Sequence, residues 1–303
     1  METSGENVRI PLGLTDIRSH SLFVLSPPEQ LFHYTSLDGA RGIITSKSLH
    51  LTKAGYLNDR SELTFAIRLF RGVAEQVKNG LTGSERKNLL AETAHQLGSF
   101  ESTNICVASF CEDGDLLSQW RSYGRSGRGV ALGFSGSVLT KISNTGWAHL
   151  FKCVYDLHAQ RTIIENLIEM LLHSYDIAVA NTPSQSRERM RKDIMAWFNT
   201  TFLQVAPVLK DKHFSEEREW RIVTMSRKTT DPKFQATVSS SRVSQYYSYE
   251  FQPNRAGEYD FLHSFTVGPT SDPELIGGAI QLLGMRENVL FKGTHYSQIP
   301  YRG

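Results

Sequence analysis

The sequence predicts an α+β fold with a mixed or antiparallel β core. Short segments rich in β-branched and aromatic residues recur along the chain, and such composition is typical of strands. Helical patterns separate them irregularly, without the strict alternation that a parallel sheet requires. We therefore expect an N-terminal extension at 1–28, rich in Gly, Ser and Pro, followed by a single catalytic-like domain at 29–303. Long helical patterns at about 157–212 are expected to form an insertion in that domain.

The composition excludes few functions, but it indicates the class of protein and its partners. The 303 residues are 40% hydrophobic and 21% charged, which is enough to bury a full core. A formal charge of +2 gives no strong global field, so nothing demands nucleic acid or a membrane as a partner. No apolar run approaches the roughly 20 residues that a transmembrane helix needs.

Cysteine usage favours a reduced compartment. The chain has three cysteines, an odd number, and no charged-then-apolar secretory segment opens the sequence. We therefore expect a cytoplasmic protein. Cys106, Cys111, His149 and Cys153 lack the paired spacing of a zinc site, so no metal is expected.

Polar residues interrupt an apolar strand pattern near the start of the predicted domain. Residues 30–35 have the composition of a core strand, and His33 lies inside it. A second short strand at 49–52 and a polar loop at 58–62 follow. A strand histidine is often a hydrogen-bonded core residue, and Asp59 and Glu62 have the spacing of a helix capping box. Structural roles therefore remain open for all three.

The remaining elements alternate without an internal repeat. They are helices at 60–79 and 84–97, a buried strand at 104–110, an acidic turn at 111–115, a short helix at 116–123, strands at 130–134 and 150–156, helices at 160–181 and 185–212, a strand at 261–267, a helix at 272–283 and a strand at 288–291. Arg125 and Arg128 lie between glycines in a loop that suits either a phosphate-binding nest or an ordinary connection.

Residues 215–223 begin with a charged segment and continue as a predicted strand. Side chains of a strand alternate between faces, so Glu217, Glu219 and Arg221 are expected to point the same way. Such a row either faces solvent or shares a function.

Several of these stretches together resemble a known bacterial family, the domain of unknown function 2971. They are LFHYTS (31–36), LNDRSE (57–62), ASF (108–110) with LLSQWRSYG (116–124) and GVALGF (129–134), EEREWRI (216–222), and the terminal GxxxSQIPYR (293–302). The resemblance spans about residues 30–302. The family in turn resembles, more remotely, the ADP-ribosyltransferase fold, which implies an ADP-ribosyltransferase-like core.

That remoter resemblance implies roles for particular residues. His33 matches the NAD anchor of the first strand, Ser109 or Tyr123 the middle position, and Glu219 the catalytic glutamate, with Glu217 orienting the nucleophile. A carboxylate at Glu219 would stabilise the positive charge that develops when the bond between nicotinamide and ribose breaks. The implied NAD-binding set is His33, Tyr34, Thr35, Asn58, Asp59, Ser109, Trp120, Arg121, Tyr123 and Arg221. Arg125 and Arg128 are further candidates for pairing with pyrophosphate.

The function implied by the resemblance is transfer of ADP-ribose from NAD to a macromolecular acceptor, a protein or a nucleic acid. A toxin or an antiphage defence element would be its setting, with an antitoxin or chaperone as a further partner. Two alternatives remain open: a non-catalytic module that binds a nucleotide or RNA, and a hydrolase or phosphotransferase. The transferase hypothesis requires that His33 and Glu219 line one cleft.

Overall fold

A computed structural model describes residues 25–56, 60–97, 104–123, 129–225, 228–238 and 243–300. The described residues contain ten strands: β1 (Gln30–Ser36), β2 (Ser48–Lys53), β3 (Cys106–Cys111), β4 (Gly129–Ser135), β5 (Ala148–Lys152), β6 (Glu219–Thr224), β7 (Phe234–Val238), β8 (Val243–Glu250), β9 (Leu262–Val267) and β10 (Gly293–Tyr296). They also contain the helices α1 (Leu37–Ser46), α2 (Arg60–Gly80), α3 (Ser84–Gln96), α4 (Leu117–Tyr123), α5 (Gly136–Asn144), α6 (Leu157–Asn181), α7 (Arg187–Val205) and α8 (Pro273–Arg286).

The predicted α+β class is confirmed. The sheet runs β10-β9-β4-β1-β3-β2-β8-β7, and β6 branches from β3 to pair with β5. Its strand pairs are antiparallel except for β9 with β10.

The chain divides into two compact units. A helical unit comprises the described parts of 59–103 and 154–212, and a sheet unit comprises those of 25–58, 104–153 and 213–303. The helices α2 and α3 therefore group with α6 and α7. From the sequence, we expect all four in the single domain 29–303, with α6 and α7 in its insertion.

Capping and aromatic packing define the helical unit. The side chain of Asp156 accepts a hydrogen bond from the Ala159 amide at 2.8 Å and so starts α6. Arg71 donates to the carbonyl oxygens of Ala94 and Leu97 and satisfies the C-terminal end of α3. In the interior, the ring of Phe70 packs against the rings of Phe198 and Phe202.

The sheet unit has one strongly apolar face, which we call the core face. The helices α1, α5 and α8 pack on it, and Phe110, Phe134 and Phe265 are fully buried there. The opposite face, here the second face, carries a smaller cluster of Phe32, Tyr34, Cys111, Trp120 and Ala131. Because side chains alternate along β1, neighbouring residues of this strand belong to different faces.

Two sequence predictions about elements are corrected. Residues 288–291 do not form the last strand: Asn288 adopts a positive φ of 55° in the turn after α8, and β10 begins only at Gly293. Val289 suggested a strand because it is apolar, but its side chain is buried although it lies in a turn. The helix α5 was not anticipated, although Leu139 and Ile142 have helical spacing and are buried.

Three absences hold for the described ranges. None of their helices is both long and apolar enough to cross a membrane. No group of three or more His, Cys, Asp or Glu side chains in these ranges is arranged to hold a metal ion. None of the three cysteines is in a disulfide, and all are buried.

Candidate functional site

A buried ion pair occupies the start of β6. Arg221 donates from Nε to Glu219 Oε1 at 2.7 Å and from Nη2 to Oε2 at 3.0 Å. Each residue is only 4% exposed. Strand register places Glu219 opposite Cys111 and Arg221 opposite Ser109 on β3. Glu219 and Arg221 therefore share the second face, as alternation along the strand predicts.

Glu217 lies outside the strand that carries Glu219 and Arg221. It ends a 3₁₀ segment, Lys212–Glu217, so the strand alternation assumed from the sequence does not extend to it. The residue between, Arg218, has a positive φ of 40°. Strand alternation therefore gives no reason to place the Glu217 side chain beside that of Glu219.

His33 faces the other side of the sheet from Glu219. Phe32 pairs with Cys111, which in turn pairs with Glu219, so these three side chains lie on the second face. His33 is the next residue, and its ring packs against Phe110 and Phe134 of the core face at centroid distances of 5.8 and 6.3 Å. The expectation that the imidazole of His33 and the carboxylate of Glu219 line one cleft is wrong for this arrangement, because a one-residue step along β1 reverses the face.

The strands β1 and β3 part beside His33. They pair at a single position, Phe32 with Cys111, whereas β1 and β4 pair along all seven residues of β1. Beyond that position, His33 Nδ1 lies 2.9 Å from the carbonyl oxygen of Ser109. Ser109 is partly exposed, while the other residues of β3 are buried, and His33 is partly exposed too. We call this opening between the strands, bounded by His33 and Ser109, the fork.

The contacts of His33 set its chemistry. Burial lowers the pKa of His33, although the bond to Ser109 opposes that shift, so the imidazole is neutral at pH 7. A carbonyl oxygen accepts only from N–H, so the proton is on Nδ1. Nε2 is then an acceptor. On the core face, the fork thus presents Nε2 of His33 as a hydrogen-bond acceptor, whereas the Ser109 side chain, opposite Arg221, belongs to the second face.

Tyr34 and Trp120 act as packing residues. The hydroxyl of Tyr34 donates to the Asp113 carbonyl at 2.9 Å and accepts from the Leu116 amide at 2.8 Å. Its ring meets Trp120 edge to face at 4.7 Å, and both side chains are buried. Burial raises the pKa of Tyr34. Because Tyr34 is only 5% exposed, its ring has little surface left for a ligand, so the NAD-binding role implied for it does not fit this arrangement.

The carboxylate of Asp115 accepts hydrogen bonds from three donors, one of which is Trp120. Its carboxylate accepts from Trp120 Nε1 at 2.8 Å, from the Ser297 hydroxyl and from the Gln298 amide at 2.8 Å. The motif LLSQWRSYG and the terminal SQIPYR segment therefore meet at one carboxylate. Asp115 therefore anchors Trp120 to Ser297 and Gln298 in this structure.

Glu112 holds a second cluster that sequence reasoning missed. Its Oε1 accepts from Lys152 Nζ at 2.6 Å and from Trp220 Nε1 at 2.9 Å, and Arg218 Nη1 lies 3.9 Å from Oε2. Burial alone would raise the pKa of Glu112, but the bonds from Lys152 and Trp220 outweigh it and lower the pKa. The only signal was the acidic turn itself, since the donors are distant in sequence.

The other predicted site residues fall into three groups. Thr35 packs its hydroxyl into the space where a Cβ of Gly39 would stand, at the start of α1. Arg121 and Tyr123 are exposed near the end of α4. The remaining candidates, Asn58, Asp59, Arg125 and Arg128, lie outside the described residues.

Comparison with known proteins supports the family resemblance. Residues 119–222, about a third of the chain, match the family described as "Protein of unknown function (DUF2971)". No curated protein and no solved structure matches the chain. The more remote likeness to ADP-ribosyltransferases stays a prediction. The match shows that residues 119–222 are similar to the DUF2971 family.

Proposed function

We propose that this protein binds a nucleotide at the fork, with NAD or its ADP-ribose portion as the ligand. The observation that carries the proposal is the parting of β1 and β3 after one ladder pair, which leaves His33 and Ser109 partly exposed between buried strands. Paired strands in the interior of a sheet normally continue their ladder, because unpaired buried backbone groups are costly. An interruption of the ladder beside an imidazole that can accept a hydrogen bond suits a ligand.

Polar groups near the fork lie on both faces of the sheet. On the core face, a neutral His33 offers Nε2 as an acceptor for a ribose hydroxyl. The Ser109 hydroxyl, which can donate and accept, lies on the second face, because Ser109 pairs with Arg221. On the second face, Arg121 supplies a cation for phosphate oxygens, since it is exposed on α4, which packs against β1 there through Trp120 and Tyr34.

Binding has more geometric support than catalysis. The carboxylate of Glu219 is buried and bound at both oxygens by Arg221, so it has no exposed oxygen ready for a ribose hydroxyl. His33 also faces away from it. Transfer chemistry would require the Glu219–Arg221 pair to open.

A second candidate, ADP-ribosyl transfer to a macromolecule, is favoured by one observation. Arg218, directly before Glu219, has a positive φ of 40°, and backbone strain in non-glycine residues concentrates at functional sites. In this hypothesis Glu219 stabilises the developing charge and Glu217 orients the nucleophile. A toxin or antiphage effector, with an antitoxin or chaperone, is the corresponding biological proposal.

Calorimetric titration with NAD and ADP-ribose tests the binding proposal. His33→Phe keeps an aromatic ring against the core face but removes the acceptor, and the loss of one neutral hydrogen bond of about 1 kcal/mol predicts roughly fivefold weaker binding. The matched control is His50→Phe, another strand histidine, exposed on β2 and stacked on Tyr246. Unchanged affinity in His33→Phe would contradict the proposal. So would a wild-type Kd weaker than about 1 mM.

Chromatography of NAD after prolonged incubation with the protein and candidate acceptors separates the two functions. Intact NAD supports the binding module. Release of nicotinamide that Glu219→Gln abolishes, while the control Glu216→Gln does not, supports the transferase. Glu216 is the matched control because it is an exposed glutamate of the same segment. A thermal melt of each variant verifies folding, since Glu219 is buried.

A further inference from the structure

The helix α8 is apolar on two opposite sides. Its inner side is buried at Gly277, Ile280 and Gly284, and Ile280 joins the core-face cluster. Its outer side exposes large side chains: Leu275 is 75% exposed and Met285 is 69% exposed. A helix that is apolar all round normally has partners on both sides.

The outer apolar residues form one continuous stripe. Leu275, Gly278, Leu282 and Met285 follow one another at intervals of three, four and three residues, which places them on the same side of a helix. We call these four residues the outer stripe. The space beside Gly278 is open: a Cβ there would meet no other heavy atom within 4 Å. The stripe therefore combines large side chains with a gap.

We propose that the outer stripe binds the same stripe of a second copy of this chain, with the two α8 helices antiparallel about a two-fold axis at the level of Ile280. This register sets Leu282 opposite Gly278 of the second copy, so that a large side chain enters each gap. It also sets Leu275 opposite Met285 of the second copy. A two-fold interface requires such self-complementarity, because one surface must fit itself.

The charges along α8 agree with antiparallel pairing. Asp272 and Glu274 lie at its N-terminal end and Arg286 at its C-terminal end, and all three are exposed. Antiparallel helices bring the acidic end of one copy to the arginine of the other, and their macrodipoles also oppose favourably. Glu287, by contrast, is already bonded to Lys47. Parallel pairing would place like charges together, so charge selects the antiparallel arrangement.

The size of the outer stripe determines how stable the proposed dimer should be. The helix α8 has 14 residues, which makes it about 21 Å long at 1.5 Å per residue. One helix pair buries less than the roughly 1,200–2,000 Å² of a stable interface. The dimer is therefore expected to be reversible, and dilution should dissociate it.

Sedimentation of the full chain over a concentration series tests the proposal. The wild type should shift from the 34.1 kDa of one chain toward about 68 kDa as concentration rises. Leu282→Glu should remain a monomer throughout. The matched control is Leu157→Glu at the first residue of α6, because Leu157 and Leu282 are both 55% exposed. A monomer at every concentration, or a dimer that persists in Leu282→Glu, would overturn the proposal.

Charge exchange tests the antiparallel register separately. Arg286→Glu alone and the double variant Asp272→Lys/Glu274→Lys should each fail to dimerise, since each repels its own copy at both ends. An equal mixture of the two should dimerise again, because both ends of that heterodimer pair opposite charges. If the mixture stays monomeric while the wild type dimerises, the register is refuted. Neither experiment involves NAD, so its outcome is independent of the proposed nucleotide site.

Discussion

Removing Arg221 should destabilise the sheet unit more than removing any surface cation. The variant Arg221→Met leaves the carboxylate of Glu219 buried at 4% exposure without its bidentate partner. Loss of one member of a buried ion pair costs about 3–5 kcal/mol, because the remaining charge stays desolvated. Replacing both residues, as Glu219→Leu/Arg221→Met, should recover most of that loss, to within about 1 kcal/mol of wild type.

Urea unfolding at pH 7, followed by tryptophan fluorescence, measures these costs. A Trp197→Phe background is used because Trp197 lies in α7 of the helical unit, whereas Trp220 adjoins the ion pair. The matched control is Lys192→Met, which breaks the exposed pair of Lys192 with Glu188 on α7 and should cost about 0.5 kcal/mol or less. The control variant is measured without the Trp197 replacement.

The result also bears on function. A cost below about 1 kcal/mol for Arg221→Met would refute the view that Glu219 is held structurally, and would show that the pair opens readily. A double variant as unstable as the sum of two costly single variants would refute the compensation argument. In the first case, the transferase hypothesis would gain the free carboxylate that it requires.

Three further predictions concern the sheet unit. Glu112→Gln removes the charge that Lys152 contacts. Because the pKa of Glu112 is lowered, this charge contributes about 1 kcal/mol to the free energy of unfolding at pH 7, and the contribution is lost as pH falls below the ordinary carboxyl pKa of 4.5. Urea unfolding at pH 7 and at pH 3 measures the cost of the variant. Equal costs at both pH values would contradict this. Gly114→Ala should destabilise by about 1–3 kcal/mol, since its Cβ would lie 2.6 Å from an aromatic ring, whereas Gly42→Ala, in open space on α1, should be stabilising or neutral in thermal melts. Equal effects of the two would refute the packing argument. Because the pKa of His33 is lowered in the folded protein, His33 is protonated at a higher pH in the unfolded chain than in the folded one. The free energy of unfolding should therefore fall as pH drops below 6.5, and it should fall less in His33→Phe. Identical pH profiles of the two proteins would contradict this prediction.

The sequence predicted the parts of the fold that depend on local pattern. The apolar run of β3 and the helical period of α2 were recognised because burial imposes those periods directly. The period of two also placed Glu219 and Arg221 on one face. The family resemblance was recognised from motifs, and the comparison bears it out over residues 119–222.

What could not be predicted depends on register between distant strands. The pairing of Phe32 with Cys111 decides that His33 faces the core, and no local pattern encodes that choice. The same holds for Glu112, whose partners Lys152 and Trp220 are 40 and 108 residues away. Motif residues such as Trp120 were assigned to ligand binding because motifs do not distinguish an anchor from a contact.

Histidine-ring nitrogen NMR of the ¹⁵N-labelled protein tests the fork most directly, with the His33 signals assigned by their loss in His33→Phe. The account predicts a neutral ring at pH 7, protonated at Nδ1, whose Nε2 resonance moves on titration with NAD or ADP-ribose. A His33 ring protonated at both nitrogens at pH 7, or an Nε2 resonance unmoved by saturating nucleotide, would contradict the proposed site.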